Sequence, residues 1–423
     1  MAPKSARNPE EAPRIRLSAS YAVACVLNIL AAGFLVACAA PTGEVAQKKT
    51  IFTAIPGGAD LPTQIPNAVI AGDYDCGRWH ACPLREFMWR SRLCALVVVK
   101  DGTIVYERYA PDQSTRCKRE AGDGPNGRDR HYGLASITKS ITSTLLGLLI
   151  ARNEADPAHP WGEIDLAKPV GHYVPGLTDA AGQPTLEQVL RMRSGFAWDD
   201  RDNLLYERTV LDSEHRGVPF AAAAGELAKR IPGPSAFNYS GLDTTLAGLV
   251  VEAILQRNHE TRGWHLDDAL THWIWQPLAM KGNAEWKTDS DRTPAPFCCL
   301  SMRARDLAKF GQFILDNVVA PADSDSAPLH GWMAKALQMQ GGVTDLAATH
   351  CRNFNLDYGY QWWPFLNPAS GFLGLGIRGQ MLHVFPREHI VIVQFSTMSH
   401  DEELDLECAS YAAHRAIVAA LSN

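Results

Sequence analysis

Residues 134–150 read LASITKSITSTLLGLLI. From Ser136 to about Arg152 the run is apolar and helix-like, and Leu145, Leu146, Leu148 and Leu149 make it too greasy for a surface helix. A helix that is apolar all round belongs in a core, so the rest of the chain has to be built over it. Ser136 and Lys139 stand three residues apart and share a face, so hydroxyl and amine meet. The helix N-terminus adds positive potential and free N–H groups. A serine is a poor nucleophile until a neighbour takes its proton, and a desolvated lysine can help to take it. Ser-x-x-Lys arises by chance about once or twice in a chain of this size, and the plain alternative is a capping serine with a solvated lysine. Placement on so apolar a helix weighs against that alternative, because such a lysine needs a buried purpose.

Outward from this helix, the two ends of the chain carry strands. Residues 95–106 read ALVVVKDGTIVY, two β-rich runs around Lys100-Asp101-Gly102, and Asp-Gly is a strong hairpin signal. Residues 381–395 read MLHVFPREHIVIVQF, again two strands around a turn at Pro386-Arg387-Glu388. An amphipathic helix is expected from about Glu402 to Leu421. Between the ends the chain is mostly helical. A short helix runs from Thr185 to Arg193 and stops at Gly195, an apolar one covers Thr244–Leu255, and another starts at a capping Ser301 and reaches Asp316. The expected fold is α/β (α+β): an antiparallel sheet assembled from both chain ends, flanked by helices, with a mostly helical subdomain. Strands and helices do not alternate regularly, which disfavours a doubly wound nucleotide fold.

The chain has 423 residues and a formal charge of −6. Nothing basic marks a nucleic-acid partner. Residues up to Arg16 are polar and carry Lys4, Arg7, Arg14 and Arg16, an apolar run from Tyr21 to Ala37 follows, and then Cys38. This is the layout of a secretory signal, and Leu35-Val36-Ala37-Cys38 is similar to the bacterial lipoprotein box, in which the cysteine becomes the acylated first residue. The domain reading is therefore 1–37 signal peptide, 38–62 tether, and 63–423 folded domain with a helical insertion over about 153–330. Cys38 is the lipidation site, the membrane is reached through a lipid anchor, and the location is the cell envelope, facing the periplasm and most consistent with the outer membrane. The alternative is an uncleaved anchor helix. Eight cysteines remain in the mature chain, which allows disulfides in an oxidising compartment without fixing a pairing. No Cys-x-x-Cys pair or zinc-spaced histidine cluster is present, so no metal is expected, and the reading calls for no cofactor.

Two further elements carry chemistry. Pro232-Gly233-Pro234 leads into Phe237-Asn238-Tyr239-Ser240-Gly241, and a tyrosine there can take the serine's proton. Gly374-Leu375-Gly376-Ile377-Arg378-Gly379-Gln380 matches Gly-x-Gly-x-x-Gly. It leads into a strand pattern rather than a helix, so a dinucleotide site is rejected. Glycines at a strand edge suit close approach of substrate and a backbone oxyanion donor.

In this order, the three elements resemble those of the serine β-lactamase and penicillin-binding protein superfamily. The likeness is nearest to its class C-like branch, with esterases and 6-aminohexanoate-dimer hydrolases. It spans about Ala95 to Ser396 and includes VLRMRSGFAWDD, WIWQPLAM, MRARDLAKFGQFIL and YGYQWW. The resemblance implies that Ser136 is acylated, Lys139 activates it, and Tyr239 acts as general base and then acid. It places the oxyanion between the backbone N–H groups of Ser136 and Ile377, with the third motif on Gly374-Leu375-Gly376. A second register puts that motif on Ile377-Arg378-Gly379, with Gln380 donating. Two departures stand out: Gly241 replaces the asparagine of Tyr-x-Asn, and neither register offers the usual cationic or imidazole side chain.

The implied activity is hydrolysis of small amides or esters. A β-lactamase or D-alanyl-D-alanine peptidase would share the chemistry, and an inactive envelope-binding protein of the same fold is the alternative from another class. Trp198, Trp286, Trp362 and Trp363 read as core and pocket wall. Asp199, Asp200 and Asp202 read as a solvated loop, with recognition of a substrate amine as the further option.

Overall fold

The computed structural model describes residues 49–52, 58–63, 73–75, 81–110, 117, 127–198, 202–211, 218–229, 236–321, 324–343, 351, 355–367, 370–399 and 403–422. The expected signal peptide and Cys38 lie outside the described residues, as do Asp199 and Asp200.

In chain order the strands are β1 (Lys49–Phe52), β2 (Asp73–Asp75), β3 (Ala81–Pro83), β4 (Leu93–Lys100), β5 (Thr103–Tyr109), β6 (His131–Gly133), β7 (Ala284–Lys287), β8 (Leu300–Arg303), β9 (Trp363–Pro364), β10 (Phe372–Gly376), β11 (Gln380–Phe385) and β12 (Ile390–Ser396). The helices are α1 (Leu84–Arg90), α2 (Ile137–Ala155), α3 (Val170–Tyr173), α4 (Asp179–Gly182), α5 (Leu186–Leu190), α6 (Asp202–Tyr206), α7 (Phe220–Leu227), α8 (Gly241–Leu255), α9 (Leu266–Leu270), α10 (Ala304–Val319), α11 (His330–Ala336) and α12 (Glu403–Ser422).

Six strands form an antiparallel sheet in the order β5-β4-β12-β11-β10-β9. Strands from the two ends of the chain meet where β4 pairs with β12, Val97 opposite Val393. The β4–β5 turn holds Asp101 and Gly102 at φ 48° and 75°, the left-handed pair that a two-residue hairpin requires. β4 is buried almost throughout because both faces of the sheet are covered. Ala95, Val97, Val99, Val391 and Val393 face the main core with α2 and α10. Leu96, Val98, Ile390 and Ile392 face a second core with Phe87 of α1 and Ile417 of α12. Successive strand residues alternate between faces, so one hydrophobic run fills two cores.

A second antiparallel sheet has the order β1-β7-β8-β6. β1 comes from the stretch expected to be a tether, and it pairs antiparallel with β7, Thr50 opposite Trp286. Asp60, in the same stretch, accepts from Arg303 and Arg305 at 2.9 and 2.8 Å. Burial alone would push its carboxyl up, but the two guanidinium groups outweigh burial and hold it below the usual carboxylate range. The segment 153–330 is helical from α3 to α9, yet it also supplies β7 and β8, and its α10 packs on the large sheet. Ser301 lies in β8 rather than capping α10. Residues 300–303 pair with β6 and β7 before the helix begins, so Arg303 takes the N-cap position. Disulfides join Cys94 to Cys117, Cys298 to its neighbour Cys299, and Cys351 to Cys408.

His383 on β11 and His414 on α12 are fully buried, with their Nδ1 atoms 3.2 Å apart. Burial drives both towards the neutral form: His383 falls to about 3, and His414 well below its ordinary value. The unfolded chain binds these protons near pH 6.5, so the stabilisation is complete above that pH and is lost as pH falls. His383 alone should remove about 2 kcal/mol between pH 7 and pH 5. Urea unfolding at the two pH values measures this, with His383→Gln expected to flatten the dependence. Equal stabilities of the wild type at pH 5 and pH 7 would contradict it.

Candidate active site

Ser136 occupies the N-cap position of α2, but its side chain makes no capping bond. Its Oγ instead accepts from Lys139 Nζ at 3.0 Å. Lys139 is 1% exposed, and its Nζ also donates to Phe297 O at 3.0 Å. The rings of Tyr239 and Phe297 lie 4.9 and 5.5 Å from the same nitrogen. The pair is therefore neither a capping serine nor a solvated lysine. Removing an amine from water costs several kcal/mol unless its hydrogens are taken up, and here the uptake is directed at the serine. Ala135, just before Ser136, has φ 47°, a conformation that side chains other than glycine adopt sparingly. It is held between Leu134 N, which donates to Leu300 O at 2.8 Å, and the tightly bound start of α2.

The hydroxyl side chains of α2 explain how an almost wholly buried helix tolerates them. Ser140 Oγ donates to Gln361 O, Thr142 Oγ1 to Pro296 O and Ser143 Oγ to Tyr360 O, each at 2.7 Å. Two segments distant in sequence, at Pro296 and at Tyr360-Gln361, are thus fastened to one helix, at about 1 kcal/mol for each bond. Gln361 is the hub. It is 1% exposed, has φ 63°, and accepts from Thr244 Oγ1 of α8 at 2.7 Å. Its Nε2 donates to Val189 O and Leu190 O of α5 at 3.1 and 3.0 Å.

Tyr239 arrives from α8. Ser240 caps that helix, its Oγ accepting from Asp243 N at 3.3 Å, which leaves Tyr239 on the last extended residues before the first turn. Its half-buried ring meets Tyr358 edge-on at 5.9 Å and lies beside Trp363 at 5.6 Å. Gly241 is the first residue of α8 and is buried, so no amide reaches the site from this position.

β10 closes the third side. A Cβ at Gly374 would stand 3.2 Å from Ser140 Oγ, and one at Gly376 only 2.6 Å from Leu134 O. Both glycines let the strand edge press on the first turn of α2. Ile377 follows at the head of the hairpin with its side chain 64% exposed. In the second register, Gln380 and Gly379 face elsewhere. Gln380 Nε2 donates to Ile377 O, Arg378 O and Ser396 O at 3.2, 3.2 and 2.9 Å, and Gly379 abuts Met398. Gln380 therefore clamps the turn, with its amide already engaged, while Gly376 abuts Leu134 and Ala135, the residues just before Ser136.

A serine hydroxyl, an amine and a tyrosine ring thus lie together at a helix N-terminus beside a strand edge, the residue types and setting that carbonyl chemistry uses. Trp286 and Trp362 are core residues, and Trp363 is the wall beside Tyr239. Sequence reasoning gave no role to Phe297, Gln361 or Tyr358. The adjacent cysteines after Phe297 and the dense block YGYQWW were the signals available. Among the described residues no group of three or more His, Cys, Asp or Glu is placed to hold a metal ion.

The β-lactamase family matches this chain over residues 84–417. A 6-aminohexanoate-dimer hydrolase of Paenarthrobacter ureafaciens is 27% identical over 316 residues, 72% of each chain. Among solved structures, a putative 6-aminohexanoate-dimer hydrolase from Bacillus anthracis superposes with a TM-score of 0.68 at 24% identity, covering 88% of this chain and 90% of that one. A β-lactamase/D-alanine carboxypeptidase from Yersinia pestis gives 0.55 at 17% identity, covering 79% and 96%.

The hub makes a stability prediction. Gln361→Ala leaves the Thr244 hydroxyl without its side-chain acceptor and takes one of two donors from each of the carbonyls of Val189 and Leu190, and should cost about 2 kcal/mol. Denaturant unfolding measures the loss. A change within about 0.5 kcal/mol, the range of ordinary surface substitutions, would contradict the role of Gln361.

Proposed function

The chain belongs to the β-lactamase family of hydrolases, and we propose that it cleaves small amides or esters through an acyl-enzyme on Ser136. The observation that carries this reading is the 3.0 Å contact between Ser136 Oγ and an almost fully buried Lys139 Nζ. Ser136 Oγ attacks the substrate carbonyl carbon as its proton passes to the Lys139–Tyr239 pair. The ammonium beside the Tyr239 ring favours negative charge on the phenol during that transfer. The N–H groups of Ser136 and Ile377 receive the oxyanion. The proton then goes to the leaving amine or alcohol, the acyl group stays on Oγ, and water repeats the sequence to release the acid and restore Ser136.

The preference for small amides or esters over β-lactams rests on likeness to the 6-aminohexanoate-dimer hydrolase and on the third motif. Gly374-Leu375-Gly376 offers no ammonium or imidazole for a β-lactam carboxylate, which leans away from β-lactams. For location, we propose the cell envelope, with Cys38 as the lipidated residue, from the leader pattern alone; palmitate labelling lost in Cys38→Ala tests it.

The activity is tested by intact mass after exposure to a fluorophosphonate. Wild type should gain one adduct and Ser136→Ala none. Lys139→Ala should react more slowly by a factor of about 10² or more, the scale of a lost proton acceptor. Folded wild type that gains no adduct would favour the inactive binding protein instead.

A further inference from the structure

The main chain from Pro296 to Leu300 touches the start of α2 in three places. Pro296 O accepts from Thr142 Oγ1 and Phe297 O from Lys139 Nζ, at 2.7 and 3.0 Å. Leu300 O accepts from Leu134 N at 2.8 Å. Between the last two contacts lie Cys298 and Cys299, joined to each other. Adjacent cysteines joined in this way close a small ring around the peptide bond between them, which fixes the strap at that point. Cys299 is held at φ 75°, in the left-handed region. Cys298 O accepts from Trp286 Nε1 at 3.1 Å, and Cys299 O from Lys287 N at 3.2 Å. Both cysteines are half-buried, whereas both of the Cys94–Cys117 pair and Cys351 of the third pair are buried, with Cys408 half-buried.

We propose that Cys298–Cys299 is a thiol–disulfide exchange site, reducible by a dithiol, whose redox state sets the position of the Phe297 carbonyl and so the hold on Lys139. A thiolate of the dithiol attacks one cysteine sulfur and the Cys298–Cys299 bond breaks. The dithiol's second sulfur then closes on the mixed disulfide. Two electrons and two protons pass from the dithiol to the cysteines, giving two thiols and one oxidised dithiol. With the ring open, Cys299 is released to leave the left-handed region. The Phe297 carbonyl then loses its fixed aim, and Lys139 loses an acceptor that holds its amine beside Ser136. The effect on catalysis rests on the acyl-enzyme reading; the effect on Lys139 itself does not.

The test uses the full chain, oxidised or treated with dithiothreitol, with alkylation and peptide mapping to follow the thiols. Two readouts are taken: fluorophosphonate labelling of Ser136, and modification of Lys139 by an amine-reactive reagent. Reduction should expose alkylatable thiols at 298 and 299, slow labelling about tenfold, the scale of one lost charged hydrogen bond, and speed modification of Lys139. The double variant Cys298→Ser, Cys299→Ser should behave as the reduced form and no longer respond to the dithiol, which separates this pair from the other disulfides. Free thiols at both positions before reduction would overturn the proposal. So would a pair that resists the dithiol, or a reduced pair that leaves Lys139 modification unchanged. A Lys139 response with no labelling of Ser136 in either form would keep the exchange site and overturn the acyl-enzyme reading instead.

Discussion

The interaction on which the architecture turns is the burial of one amine. Lys139 is 1% exposed with Ser136 Oγ and Phe297 O as acceptors, and a group of this kind is tolerated in a core only where acceptors are already in place. Those acceptors come from two sides. Ser136 is fixed because α2 begins directly behind the strained Ala135, and Phe297 because the strap at 296–300 is tied to β7, β8 and α2. Loosening any of these supports takes a fixed acceptor away from a buried amine, which is costly. The supports are therefore coupled to one another through the lysine.

The same economy runs through the rest of the site. α2 and α8 are buried helices rather than amphipathic surface ones, so their relative placement is decided by a few internal polar contacts. Gln361 makes several of them, holding α8 and α5 through its side chain and α2 through its main-chain carbonyl. β10 adds the third wall because glycine at 374 and 376 allows backbone to meet helix without an intervening side chain. The large sheet behind these elements has both faces covered, with Val97 and Val98 on opposite cores. It is a rigid backing onto which the hairpin carrying Ile377 is built.

Much of this was legible in the sequence where the signal is local. Asp101-Gly102 dictates its hairpin by backbone preference alone, and the apolar run after Ser136 could only be a core helix. Strands at both ends of the chain implied a sheet made from both. What escaped is what depends on distant residues meeting. Nothing local marks Phe297 as the lysine's acceptor or Gln361 as a hub, because a glutamine's partners are chosen by tertiary packing. Within residues 38–62, expected as a tether, strand β1 depends on finding β7, and Asp60 on finding Arg303 and Arg305, more than 200 residues away. Ser301 has the chemistry of a cap, but strand pairing on both sides kept it in β8. The two registers of the glycine motif are equally good on paper, and the contacts of Gln380 and Gly379, which are made only by tertiary packing, bear on the choice between them.

The most direct test of the central claim is to catch the covalent intermediate during turnover. The full chain is mixed with a short-chain p-nitrophenyl ester, quenched in acid within the first turnovers, digested and mapped by tandem mass spectrometry. The account predicts the acyl mass on the peptide carrying Ser136, located on that residue and absent when the quench is delayed until substrate is exhausted. Hydrolysis that proceeds with the acyl group on another residue, or with none on the enzyme at any time, would contradict it.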